Sequence, residues 1–87
     1  MSQKHIILGV HITDRVTHAS QVQQTLTQYG ANIKTRLGLH EIAGNQASPN
    51  GLIVLEMAGE EARCLEVATR LTAIKGVEVQ KMIFDHP

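Results

Sequence analysis

An α+β fold whose elements run βαββαβ follows from three features of this 87-residue chain. Apolar residues alternate with period two in three stretches and run almost unbroken in a fourth, recur at spacings of three and four in two others, and these stretches are separated by glycines or polar turn residues. The length suits a single domain, residues 1–87, with a modest core. Tyr29 and Phe84 are the only aromatics, so that core is built from Val, Ile, Leu, Ala and Met.

The first strand is "HIILGVHI" (5–12), with Ile6, Leu8, Val10 and Ile12 on one side and His5, Ile7, Gly9 and His11 on the other. Asp14 then suits a helix N-cap, its carboxylate accepting from free backbone N–H groups of the first turn. Val16, Ala19, Val22, Leu26 and Tyr29 form the apolar stripe of helix 1, and Gly30 is placed to end it in the left-handed conformation. A second strand is expected from about Ala31 to Ile42. It sets Ile33, Thr35, Leu37 and Leu39 on one face and Lys34, Arg36, Gly38 and His40 on the other.

"AGNQASPNG" (43–51) has the composition of a loop, either a disordered hairpin tip or a lid, with the former favoured. "LIVLEM" (52–57) is nearly all apolar and predicts a central strand. Helix 2 begins near Glu60 and Glu61, whose charges complement its positive end. It carries Cys64, Leu65, Val67, Ala68, Leu71 and Ile74, and stops at Gly76. The last strand, "VEVQKMIF" (77–84), alternates again.

Right-handed crossovers place both helices on one face of a four-stranded antiparallel or mixed sheet, with strand 3 between strands 1 and 2. That is the two-layer ferredoxin-like sandwich. Its uncovered face is expected to show the second set of residues from strands 1 and 2, together with Leu52, Val54 and Glu56, and Glu78, Gln80 and Met82. Aliphatic residues on the central strands of such a face predict coverage by another copy of the chain, as a dimer or tetramer.

Bulk properties exclude several roles. Net charge is zero and the eight Lys and Arg are scattered, which argues against direct nucleic-acid binding. One cysteine excludes an internal disulfide or a CxxC site. The N-terminal apolar run is too short for a signal peptide or membrane span, so a cytoplasmic location is expected. No nucleophile, base and orienting group stand at a recognisable spacing, so no enzymatic activity is expected.

The assembled stretch "DRVTHASQVQQTLTQYGANIKTRLGL" resembles a family of small ACT-like bacterial proteins described as regulators of the iron-only hydrogenase system. The resemblance rests on Asp14-Arg15 opening helix 1, Tyr29-Gly30 closing it, and Arg36-Leu37-Gly38-Leu39 in strand 2. It extends to the aliphatic third strand and the closing "LTAIKGVEVQKMI". It implies a regulatory protein that self-associates and meets a small-molecule effector or a protein partner, with no cofactor.

Wider relatives narrow this. ACT domains carry a Pro-Gly before helix 1 where this chain has Val16 and Thr17, which counts against amino-acid binding of that type. The ACT-like domain of nickel-responsive repressors uses several histidines near the end of strand 2 and a cysteine opening strand 3. Here only His40 matches, Gly38 stands where another histidine would be, and no cysteine begins strand 3.

The candidate ligand or interface residues are therefore Arg36, Gly38, His40 and His11. Gly38 would permit close approach by a ligand or another backbone. Arg36 would meet a carboxylate or phosphate there, or else pair with Glu56 or Glu78 in an assembly contact. His11 and His40 are expected at one end of the sheet, about 10 Å apart across strand 3. A metal takes ligand atoms at about 2 Å, so these two could share an ion only across an interface. No metal is expected, and that pair is the alternative. A ligand-free interaction domain is the remaining reading. Cys64 reads as a buried, inert thiol.

Overall fold

The computed structural model describes residues 4–43 and 46–85 and, within them, every side chain except those of residues 15–16, 39–43 and 46–49. The elements are β1 (His5–Ile12), α1 (Arg15–Gln28), a 3-10 turn (Gly30–Asn32), β2 (Ile33–Ala43), β3 (Gln46–Met57), α2 (Glu61–Thr72) and β4 (Val77–Phe84). All strand pairings are antiparallel, in the order β2-β3-β1-β4, so β3 does lie between β1 and β2. This is the ferredoxin-like α+β sandwich expected of the sequence.

Strict alternation makes β1 the keel of the core. Ile6, Leu8, Val10 and Ile12 are each at most 3% exposed. They meet Ile53, Leu55 and Met57 of β3, Val22 and Leu26 of α1, and Val67 and Leu71 of α2. Each such side chain withdraws about 2 kcal/mol of hydrophobic free energy from water, whereas an exposed ion pair such as Lys4–Glu61 (3.3 Å) is worth roughly 1 kcal/mol or less. Packing, not surface charge, holds the sandwich together.

Tyr29 is buried at the end of α1 and joins the two helices. Its hydroxyl donates to Glu66 and accepts from Arg70 Nε at 3.2 Å, while the Arg63 guanidinium lies 4.9 Å from the ring centroid. A buried phenol keeps a polar partner here because the α2 surface supplies one.

Three local expectations are corrected. Asp14 is the N-cap of α1, but its backbone is left-handed (φ 52°) and its carboxylate caps no backbone N–H. Instead Asp14 Oδ2 accepts the Thr17 hydroxyl at 2.9 Å, and Asn50 Oδ1 accepts the Asp14 N–H at 3.0 Å. Gly30 does not end α1 in the left-handed region. Tyr29 is the C-cap, and the chain passes into the 3-10 turn. The left-handed glycine beside that turn is Gly59 (φ 91°), against Asn32, while Gly76 (φ 84°) serves the start of α1, its carbonyl accepting the Thr13 N–H at 2.8 Å and its missing Cβ leaving room for His18.

The third concerns residues 43–51. β2 runs to Ala43 and β3 begins at Gln46, so most of the expected loop is strand. Gly44 and Asn45 lie outside the described residues. Among those described, no helix is long and apolar enough to cross a membrane.

Candidate functional site

Both helices pack on one side of the sheet, which leaves the other side open. Its composition is decided by one residue. Ile33 pairs with Met57 and Thr35 with Glu56, so Lys34 is an extra residue in β2, a β-bulge. A one-residue slip exchanges the faces of everything that follows. Leu37 therefore pairs with Val54 on the open face, while Arg36 and Gly38 pair with Leu55 and Ile53 on the helix side.

This reverses the expected faces of strand 2. Arg36 donates to Gln23 of α1 and has no ion pair with Glu56 or Glu78. At Gly38 an added Cβ would meet no atom of the described residues within 4 Å, so none of them fills the space beside it. Residue 40 pairs with Gly51 and His11 with Leu52, positions one apart on β3 and so on opposite faces. The two histidine positions do share an end of the sheet, as expected. The His40 side chain lies outside the described ones. Among the described residues no group of three or more His, Cys, Asp or Glu could hold a metal ion.

β1, β3 and β4 present the residues expected. Across the sheet the open face reads in rows: Leu52, His11 and Glu78; then Leu37, Val54, Gly9 and Gln80; then Thr35, Glu56, Ile7 and Met82. His5 and Phe84 close it, their rings 6.3 Å apart. Among the described residues the large hydrophobics most open to solvent are Met82 (56%), Leu37 (54%), Phe84 (51%) and Ile83 (43%), and the first three lie on this face.

Two polar features frame the apolar centre. At the Phe84 end, Glu56 accepts from Thr35 Oγ1 at 2.9 Å, meets His5 Nε2 at 2.9 Å and has Lys34 Nζ at 3.8 Å. The hydrogen bonds from His5 and then Thr35 hold its carboxyl below the usual carboxylate value, against a smaller opposing effect of burial. At the other end, a groove of about 420 Å³ runs beside Gly9. Ile7, Leu52 and Met82 form its apolar walls, and His11, Glu78 and Gln80 its polar one.

Leu37 and Thr35 are the members of this face that strand alternation from the sequence does not find, whereas Phe84 shares the parity of Glu78, Gln80 and Met82. The first two depend on the bulge, whose one local trace is the polar run Lys34-Thr35-Arg36. Cys64, by contrast, is where expected. It is 2% exposed, its Sγ lies 3.5 Å from the Ala58 carbonyl, and burial pushes the thiol up.

No family model and no curated protein matches the sequence. Solved structures do. The uncharacterized protein TM1266 from Thermotoga maritima superposes with a TM-score of 0.78 at 21% identity, covering 95% of this chain and 100% of that one. CPII, a nitrogen regulatory PII-like protein from Thiomonas intermedia K12 bound to ADP, AMP and bicarbonate, gives 0.56 at 14% identity, covering 98% and 97%. A dimeric ferredoxin-like protein from an uncultured marine organism gives 0.52 at 8% identity, covering 94% of each chain. At these identities the likeness shows a shared ferredoxin-like fold, one also used by PII-like proteins.

Proposed function

We propose that this chain is a small ACT-like regulatory module that self-associates through its open sheet face and senses a small-molecule effector. Service to an iron-only hydrogenase system, carried by the sequence resemblance, and a cytoplasmic location and a binding rather than catalytic role, carried by the short N-terminal apolar run and by the residue spacing, are the finer parts of this reading. The observation that carries the whole is the exposure of Leu37, Met82 and Phe84 on one uncovered face.

Magnitudes favour a large contact over a glancing one. Covering the exposed half of three such side chains on each of two copies contributes about 6 kcal/mol. Association costs roughly 4–15 kcal/mol, so the half-buried Ile7, Leu52 and Val54 must be covered as well. The fold is shared with a dimeric ferredoxin-like protein and with a PII-like protein bound to small molecules, which supports assembly and sensing respectively.

Native mass spectrometry of untagged protein, purified without chelator, tests the reading. A defined oligomer carrying an organic adduct supports it. A bare monomer refutes self-association, and a stoichiometric metal adduct would replace effector sensing with metal binding.

A further inference from the structure

We infer that the groove beside Gly9 is a binding site for a planar, amino-bearing nitrogen heterocycle. The inference rests on the sensing role proposed above and supplies its site and ligand class. Gly9 stands in a central strand, where the lack of a side chain weakens a sheet by roughly 0.5–1 kcal/mol. In its place is a gap. A Cβ built there would meet only the Gln80 carbonyl oxygen, at 4.0 Å. The resulting groove, about 420 Å³, falls in the range of small-molecule sites and has the usual apolar walls with a few converging polar groups.

Ligand class follows from those groups. Gln80 Nε2 donates to Glu78 Oε2 at 3.3 Å, which leaves the Gln80 carbonyl and the other Glu78 oxygen as acceptors. Among the described residues Glu78 has no cationic partner. An acceptor-rich wall recognises donors: an exocyclic amine, an amidine or a ring N–H. It disfavours a carboxylate. With no side chain at Gly9 the sheet backbone takes the face of a ring, and a second copy of the chain seated on the open face would cover the ring's other side.

Amide NMR of the full chain, titrated with 2,4-diaminopyrimidine and 2-aminobenzimidazole, tests this, with benzoate as control and sedimentation velocity in parallel. The expected result is saturable shifts at Ile7 to His11, Leu52 and Glu78 to Met82, with none for benzoate. Gly9→Val, whose Cβ has no described atom nearer than 4.0 Å, fills the gap and should abolish them, and Glu78→Gln should weaken binding about tenfold. No saturable shift with either probe overturns the inference, as do shifts that persist in folded Gly9→Val. Should Gly9→Val fail to fold, Glu78→Gln decides alone. A monomer that binds the probes refutes self-association and leaves this site standing. An oligomer that binds neither does the reverse.

Discussion

Thr35 and Arg36 are neighbours in β2 that serve opposite faces of the sheet. The Thr35 hydroxyl donates to Glu56 on the open side, and the Arg36 guanidinium donates to Gln23 of α1 on the other. Neighbours in a strand always diverge, but which one turns outward is set by Lys34. The bulge gives the open face an aliphatic side chain, Leu37, at the position where simple alternation would put a cation.

Self-association should therefore depend on Leu37 and be indifferent to Arg36. Arg36→Ala removes one exposed hydrogen bond and should change stability by about 0.5 kcal/mol or less, with the oligomer distribution unchanged. Leu37→Asp places a carboxylate in the proposed contact and should shift the protein to monomer. Sedimentation velocity of the two variants at matched concentrations distinguishes them. Dissociation by Arg36→Ala with none by Leu37→Asp would move the interface to the helix side.

The residues that could be placed from sequence were those whose neighbours repeat a pattern. Ile6, Leu8, Val10 and Ile12 alternate without a break, and Val22, Leu26, Val67 and Leu71 keep helical spacing. Element order, core and three strands of the open face follow from these. Strand 2 did not, because an inserted residue in a bulge changes no local propensity. Only pairing with β3 shows that Ile33 and Thr35 lie across from consecutive residues. The strand starting at Gln46 was hidden similarly, since Pro and Asn-Gly are turn residues by composition and β3 absorbs them through a second irregularity opposite residues 40–42.

Glu56 gives the fold an acid-sensitive element. His5 and Thr35 hold its carboxyl below the ordinary 4.5. A group whose folded value is depressed adds stability that is fully present above the unfolded value and lost as pH falls through the folded one. The urea midpoint of the wild type should thus exceed that of Glu56→Gln above pH 4.5, and the gap should narrow below it. A gap that stays constant on further acidification would show that the cluster does not stabilise the ionised carboxylate.

Tyr29→Phe keeps the buried ring and the Arg63 contact but removes the hydroxyl that joins Glu66 and Arg70. Two charge-assisted hydrogen bonds are lost, but both partners reach solvent and water takes up part of each, so the cost is about 1–2 kcal/mol. For a domain of this size that lowers the melting temperature by roughly 4–16 °C. Denaturant unfolding should show a shifted midpoint with an unchanged slope. An unchanged midpoint would mean that the hydroxyl does no more than avoid being left unpaired.

Cys64 should be chemically silent until the protein opens. Its thiol is 2% exposed, and burial, with the nearby Glu61 charge adding to it, pushes its pKa above the ordinary value, so both access and thiolate fraction are low. Modification by a disulfide reagent should be at least about a hundredfold slower in buffer than in denaturing urea. Its rate should climb along the unfolding curve and not ahead of it, because α2 carries Cys64 on the same buried stripe as Val67 and Leu71. Fast labelling of the folded chain would require α2 to detach from the sheet well below the unfolding transition. The helix layer would then be the mobile part of the molecule, and the open face its rigid one.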